Sequence, residues 1–167
     1  MSEDPGAVPR PMILYINELM KAGAFGDKPL VGVEIGVLAG ENAESVLNAL
    51  NMEKLYLIDP YRPYMEHQPR WNGIVDPRNK LDEAKKRLDP WVDKAQFVFT
   101  TSDRAINSIP NELDFVYIDG LHEYEQCGRD IMNYWPKVRD MGILGGHDFA
   151  PDCLGVMAAA CTFGIVN

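Results

Sequence analysis

The chain has 167 residues, enough for one domain of ordinary size, and 46% of them are hydrophobic, enough for a packed core. Sixteen basic and 25 acidic residues give a formal net charge of -9, which argues against nucleic acid or an anionic membrane as the main partner. The three cysteines lack CxxC spacing, the N-terminus is unlike a signal peptide, and no apolar run approaches the roughly 20 residues that cross a bilayer. We therefore expect a cytoplasmic protein with reduced thiols.

Strand-type apolar runs alternate with helical patterns along the chain. Residues 1–11 are predicted to form a flexible N-terminal tail, and residues 12–167 a single domain. The predicted strands are Val31–Ile35, Leu55–Ile58, Gln96–Phe99, Asp114–Ile118 and Gly142–Leu144. The predicted helices are Met12–Lys21, Asn42–Leu50, a charged helix from Pro77 to Pro90 with Asp76 as its cap, Ser102–Ser108, Tyr124–Tyr134 and Leu154–Phe163.

This alternation predicts an α/β fold with a doubly wound, mostly parallel Rossmann-like sheet and helices on both faces. Such sheets usually continue with one or two more strands after the fifth. Either the chain is truncated at its C-terminus, or the native protein is unusually short. An incomplete sheet would leave an unpaired edge, which makes a homodimer an open expectation.

The segment from residue 60 to residue 77 interrupts the pattern. Prolines at 60, 63, 69 and 77 alternate with Tyr61, Tyr64 and Trp71. A long connection without secondary structure is more often functional than not. We therefore predict a loop that covers the substrate, with ordinary packing of the aromatic side chains as the alternative.

The first strand and its following turn indicate a nucleoside ligand. The strand carries Glu34, the turn carries Gly36 and Gly40, and the next strand is followed by Asp59, which can accept hydrogen bonds from both ribose hydroxyls. A carboxylate at Glu34 would repel the pyrophosphate of a dinucleotide at this turn. It suits a cationic ligand end, such as the ammonium and sulfonium of S-adenosylmethionine (SAM).

Acidic and imidazole side chains follow the fourth and fifth predicted strands. Asp119 and His122 come after the fourth strand, and His147 and Asp148 come after the fifth. Ligands of open α/β sheets bind at the carboxyl ends of the strands, so we expect these side chains to converge. Paired carboxylates suit Mg²⁺ or Mn²⁺, and an imidazole tilts the choice toward Mn²⁺, Fe²⁺ or Zn²⁺. The alternative is a set of carboxylates that only stabilise loops.

With these motifs in order, the chain resembles a class I SAM-dependent methyltransferase over about Val31 to Phe149. It is similar in particular to the metal-dependent O-methyltransferases of the catechol and macrolide-sugar types and to uncharacterised bacterial relatives. The resemblance implies a general base at His122 and a metal site at Asp119 and Asp148 with His147 beside them. It implies cofactor contacts from Glu34, Gly36, Gly40, Asn42, Asp59, Ser102, Asp103 and Asp119. Ser102 has an alternative role as a helix cap.

The chain departs from the family pattern after the second glycine, where it has Glu41 and Asn42. Asn42 can still hydrogen-bond the methionine carboxylate of SAM. Glu41 would disfavour that carboxylate unless its side chain points away.

The resemblance implies methyl transfer from SAM to a hydroxyl of a small polar acceptor, assisted by Mg²⁺ or Mn²⁺. Two alternatives stay open at this point. One is a non-catalytic module that binds SAM or S-adenosylhomocysteine (SAH), alone or as a subunit of a larger assembly. The other is a NAD-linked oxidoreductase, which Glu34 and the lack of a tight GxGxxG motif disfavour.

Overall fold

The computed structural model describes residues 10–67 and 72–166, where strands and helices alternate along the chain. The strands are β1 (Leu30–Ile35), β2 (Met52–Ile58), β3 (Tyr64–His67), β4 (Asn72–Val75), β5 (Ala95–Val98), β6 (Leu113–Ile118) and β7 (Val138–Gly146). The α-helices are α1 (Pro11–Lys21), α2 (Glu41–Ala49), α3 (Leu81–Leu88), α4 (Ser102–Ala105), α5 (Tyr124–Tyr134) and α6 (Leu154–Val166). None of these helices is long and apolar enough to span a bilayer.

Five of the strands form one parallel sheet in the order β5-β2-β1-β6-β7. Parallel neighbours need a crossover between them, and helices supply these crossovers. The chain starts in the middle of the sheet, moves outward through β2 to β5, and then crosses to β6 and β7. The predicted doubly wound α/β fold is therefore confirmed.

Hydrophobic cores lie on both faces of this sheet. One core joins α1, α2 and α3 to the sheet through side chains that include Ile13, Val46 and Leu88. The other core joins α4, α5 and α6 to the opposite face through side chains that include Ala105 and Ile131. Because both faces are covered, the central strands are apolar almost throughout, as the sequence runs indicated.

The strand register brings the functional positions to one edge of the sheet. Ile35 at the end of β1 lies opposite Ile58 of β2 and Ile118 of β6, and Ile118 lies opposite Gly146 of β7. The residues that follow these strand ends therefore emerge side by side. This alignment is the reason that motifs far apart in the chain meet in one site.

The sequence predicts a loop without secondary structure from residue 60 to residue 77, and this prediction is wrong. β3 and β4 pair as an antiparallel hairpin in which Tyr64 lies opposite Val75 and His67 opposite Asn72. Four-residue strands between prolines give too short an alternation to be recognised in the sequence. Trp71 and Pro69 of the predicted aromatic run lie outside the described residues.

Other differences concern the ends of elements. The charged helix begins at Leu81, after a 3-10 turn over Arg78–Lys80, and not at Pro77. Asp76 accepts a hydrogen bond from the Arg78 amide at 3.2 Å, so it stabilises the turn ahead of the helix. At the other end of the chain, α1 begins at Pro11, and Arg10 precedes it as its N-cap residue.

Candidate functional site

The turn between β1 and α2 has backbone geometry that favours glycine at two positions. Gly36 has φ +84°, and a Cβ there would overlap the carbonyl oxygen of Asp119. Gly40 has φ +79° and is the N-cap residue of α2, where a Cβ would lie 3.3 Å from Leu88. Residues with a side chain rarely adopt such φ angles. The chain therefore reverses from strand to helix with an open backbone facing the strand ends.

Asp59 ties this turn to the end of β2. Its carboxylate accepts hydrogen bonds from the amides of Val37 at 3.0 Å, Leu38 at 3.1 Å and Tyr61 at 2.7 Å. The Tyr61 hydroxyl in turn donates to the carbonyl oxygen of Leu38 at 2.9 Å. A carboxylate offers about four acceptor positions, so about one is left for a ligand. Asp59 can therefore hold the turn and still accept a hydrogen bond from one ribose hydroxyl. Accepting from both ribose hydroxyls, as predicted, would require one of these three hydrogen bonds to be shared or lost.

Glu34 and Asn42 hold unpartnered polar atoms in the interior beside the turn. Glu34 is 1% exposed and Asn42 is 5% exposed. Neither Glu34 Oε2 nor the two polar side-chain atoms of Asn42 has a hydrogen-bond partner among the described residues. Each such buried atom costs about 1–3 kcal/mol unless a partner arrives. A bound polar ligand would supply these partners.

The charge of Glu34 depends on what lies beside it. Burial raises the pKa of Glu34 well above its usual range, and the Asp119 carboxylate raises it further, while the Asn42 amide and the Arg10 guanidinium oppose the shift. A cationic ligand group next to Glu34 would stabilise the ionised form. The pocket therefore favours a ligand that brings positive charge.

Glu41 points away from this pocket. Its side chain is 59% exposed, and its Oε1 lies 3.8 Å from Nη2 of Arg87. Arg87 also pairs with Glu44 Oε2 at 2.7 Å. Glu41 therefore repels a ligand carboxylate at the start of α2 less strongly than the sequence indicates, because its side chain is directed toward solvent and Arg87.

A second polar group lies at the ends of β6 and β7. Ligand atoms of Asp119, His122 and Asp148 all lie within 4.8 Å of one another. His122 Nε2 is 3.0 Å from Asp148 Oδ2, and His122 Nδ1 is 3.1 Å from Oε2 of Glu66 on the hairpin. A neutral imidazole has one N–H and can donate to only one of these two carboxylates. The ring nitrogen that lacks a proton therefore faces a carboxylate favourably only if a further proton or a cation lies beside it.

Arg10 reaches the same group from the start of α1. Its Nη1 donates to Asp119 Oδ2 at 2.8 Å and to the Tyr117 hydroxyl at 3.1 Å. Burial raises the pKa of Asp119, the nearby Asp148 carboxylate raises it further, and Arg10 and His147 oppose the shift. Arg10 therefore offsets part of the concentrated negative charge at this strand end.

His147 lies at the rim of the predicted metal site. Its Nδ1 is 2.9 Å from Asp148 Oδ2 and 3.7 Å from Asp119 Oδ1, and its side chain is 42% exposed. The more compact set of donors contains His122 in place of His147. Asp119 and Asp148 belong to both sets, so they carry the metal prediction.

Ser102 and Asp103 face α5 rather than the turn. Ser102 Oγ donates to Asp130 Oδ1 at 2.6 Å, and Gln126 Nε2 donates to the same oxygen at 2.9 Å. Asp103 accepts a hydrogen bond from Asn133 at 3.3 Å. The N-cap residue of α4 is Thr101, and no side chain caps this helix, so Ser102 is not the predicted cap. Adenine contacts by Ser102 and Asp103 stay predictions.

An apolar cavity of about 220 Å³ lies against β7 between α5 and α6. Its walls are formed by Ile118, Cys127, Ile131, Trp135, Leu144, Gly145, Gly146, His147, Phe149, Ala160 and Phe163. Because His147 belongs both to this wall and to the polar group, the cavity adjoins the candidate site.

The sequence interpretation missed Glu66 and Arg10. Glu66 is 1% exposed, but it stands among prolines and aromatic residues in a segment without a clear period. Arg10 belonged to the segment expected to be a tail. Neither position carried a motif, and only the tertiary contacts show that both side chains reach the strand ends.

A family model described as a methyltransferase domain matches residues 33–149 of this chain. The chain belongs to this methyltransferase family. The matched range contains the glycine turn, Asp59, and the acids and histidines after β6 and β7. This match decides between the nucleoside ligands considered above in favour of SAM and against a nicotinamide cofactor.

Solved structures share the fold of this methyltransferase at low sequence identity. The O-methyltransferase NovP superposes with a TM-score of 0.65 at 16% identity, over 93% of this chain and 71% of NovP. Cofactor-bound Rv0187 from MTB has a TM-score of 0.62 at 15% identity, over 98% of this chain and 72% of its own. Precorrin-6y C5,15-methyltransferase from Geobacter metallireducens has a TM-score of 0.61 at 12% identity, over 96% and 77%. These similarities support the Rossmann-like methyltransferase fold.

The residues of the site fit both groups that the resemblance implies. The open glycine turn and the unpartnered atoms of Glu34 and Asn42 suit the polar, cationic end of SAM. The clustered oxygens of Asp119 and Asp148 with an imidazole suit a divalent cation.

Proposed function

We propose that this methyltransferase transfers the methyl group of SAM to a hydroxyl of a small polar molecule, with a divalent cation held by Asp119 and Asp148. The observation that carries the proposal is the proximity of Asp119, His122 and Asp148 at the strand ends that also position the glycine turn. No nucleic acid or membrane partner is part of the proposal, since the net charge is -9.

The donor side of the site binds SAM, which supplies the methyl group when bound. Glu34 accepts hydrogen bonds from the ammonium group of SAM and offsets its positive charge. The side-chain amide of Asn42 donates to the methionine carboxylate. Asp59 accepts a hydrogen bond from a ribose hydroxyl. The glycine turn brings the backbone close to the ligand without side chains in the way. The resemblance also implies cofactor contacts at Asp119 and adenine contacts at Ser102 and Asp103, whose side-chain hydrogen bonds to α5 leave their backbone for this role.

The acceptor side uses His122 as the general base. Nδ1 of His122 lies 3.1 Å from Oε2 of Glu66. In this proposal the imidazole proton is on Nδ1 and is donated to Glu66, so that Nε2 carries the lone pair. That nitrogen faces Asp148 and would take the hydroxyl proton. The acceptor oxygen would form the new bond to the methyl carbon while the carbon–sulfur bond breaks and SAH leaves. Asp119 and Asp148, with His147 at the rim, would hold a divalent cation, which would supply Lewis acidity that lowers the pKa of the acceptor hydroxyl. The adjoining apolar cavity suits a hydrophobic part of the acceptor.

The base assignment is tested by His122→Ala, with His67→Ala on the exposed side of the hairpin as the matched control. SAH formation is measured against catechol and a panel of methyl glycosides, with Mg²⁺ or with EDTA. Loss of a general base lowers the rate by about 10²–10⁴-fold, so we expect His122→Ala to lose turnover and keep SAH affinity. We expect His67→Ala to match the wild type.

The outcomes separate the alternatives. Equal turnover in His122→Ala and wild type would remove the base role, and wild-type activity that is insensitive to EDTA would remove the metal. SAH binding without turnover on any acceptor would favour the non-catalytic module.

A further inference from the structure

The zwitterionic end of SAM poses a problem of charge in this pocket. Glu34 and Asp119 lie close enough for their charges to interact, and both suit the ammonium and sulfonium groups. The methionine carboxylate of SAM would meet the same negative field. The amide of Asn42 offers one neutral donor against it, so a cation is needed for balance.

Arg10 has the geometry to supply that cation. Both of its hydrogen bonds to described residues use Nη1, which leaves Nε and Nη2 without partners there. Nε and Nη2 form the edge of a guanidinium that binds a carboxylate through two parallel hydrogen bonds. The side chain is 28% exposed, so the described residues do not enclose it completely.

Contacts around Arg10 also fix its orientation. Asp119 and the Tyr117 hydroxyl hold Nη1, and the guanidinium carbon lies 5.7 Å from the centre of the Tyr117 ring. Burial alone would lower the pKa of Arg10, but Asp119, Tyr117 and Glu34 raise it. Arg10 therefore stays charged with one edge already directed by its neighbours, which reduces the entropy lost on binding.

We propose that Arg10 binds the methionine carboxylate of SAM and SAH through its free guanidinium edge. This proposal rests on the proposed SAM site, and it gives the start of α1 a role in selecting a cofactor with an intact amino-acid end. It also accounts for the tolerance of Glu41 at the start of α2, because recognition of the carboxylate comes from Arg10 rather than from that turn.

The test compares SAH with its decarboxylated form, S-adenosyl-3-thiopropylamine, which keeps the nucleoside and the amine but lacks the carboxylate. Calorimetric titrations use the wild type, Arg10→Ala, Arg10→Lys, and Lys21→Ala as the control. Lys21 is an exposed cation at the other end of α1, so its removal changes the net charge equally. Thermal unfolding of each variant confirms that it is folded.

We expect the wild type and Lys21→Ala to prefer SAH over the decarboxylated form by at least tenfold. Arg10→Ala should lose at least tenfold in affinity for SAH and keep or gain affinity for the decarboxylated form, because Asp119 is released toward the amine. Arg10→Lys should recover part of the preference. Unchanged preference in Arg10→Ala, or an equal loss for both ligands, would overturn the proposal. Failure of the wild type to bind either ligand would instead contradict the proposed SAM site.

Discussion

Single residues set the shape of the donor side. Gly36 and Gly40 both have positive φ, but only Gly36 lies against the backbone of another strand end, at Asp119. Gly40 faces the flexible end of the Leu88 side chain at 3.3 Å. The two glycines therefore separate the effect of backbone conformation from the effect of close approach.

Gly36→Ala should be more destabilising than Gly40→Ala. Positive φ costs about 1–2 kcal/mol for a residue with a side chain, which is the loss expected for Gly40→Ala. The overlap with the Asp119 carbonyl adds about 1–3 kcal/mol for Gly36→Ala. Urea unfolding measures both free energies. Equal losses in the two variants would show that the close approach of the strand ends is not tight.

Asp130 predicts a pH dependence of stability. Burial raises its pKa to about 6, while hydrogen bonds from Ser102 and Gln126 oppose the shift. The folded protein therefore binds the carboxyl proton of Asp130 more tightly than the unfolded chain does. The resulting stabilisation is full below the unfolded pKa of about 4, and it is lost as the pH rises through the folded pKa of about 6.

Asp130→Asn should remove this effect, since an amide accepts the same hydrogen bonds without a charge. We expect the variant to be more stable than the wild type at pH 8 by about 2–3 kcal/mol and to lose most of that advantage at pH 4. Urea unfolding at both pH values gives the difference. An advantage that is constant with pH would indicate that Asp130 does not titrate near 6.

The β3–β4 hairpin brings Glu66 to His122, the proposed general base. Glu66 is buried, while its neighbours Met65 and His67 are exposed, as alternation in a strand requires. A carboxylate beside Nδ1 selects the tautomer of an imidazole and fixes the orientation of its ring. The hairpin therefore belongs to the proposed acceptor side.

Glu66→Ala should reduce turnover and leave SAH affinity unchanged. We expect kcat to fall about tenfold or more with little change in KM, because the orientation of His122 acts on the chemical step. Glu66→Gln should restore part of the activity, and Met65→Ala on the exposed face is the control. A rise in KM without a fall in kcat would mean that the hairpin binds the acceptor and does not position the base.

The sequence predicted the elements of the parallel sheet better than it predicted the contacts between them. A short apolar run such as residues 113–118 is typical of a buried strand. The predicted ends of β1, β2 and β6 therefore lie within a few residues of those in the structure. The hairpin was missed because its strands are short and polar. The roles of Arg10 and Glu66 could not be predicted, since long-range contacts place them and neither belongs to a motif.

In the molecule as a whole, the parallel topology places four acidic residues at one edge of the sheet. Glu34, Asp59, Asp119 and Asp148 come from four different strand ends, and Arg10 offsets part of their charge. Such a concentration of buried acids is unfavourable without cationic ligands. The architecture therefore agrees with a cationic cofactor at this edge, and it motivates the proposed metal site at Asp119 and Asp148.

Binding of SAM at this edge of the sheet is measured most directly by calorimetric titration with SAH in the presence and absence of Mg²⁺. We expect one SAH per chain with micromolar affinity, equivalent to about -8 kcal/mol. Absence of SAH binding in both buffers would contradict a SAM site at the ends of these strands.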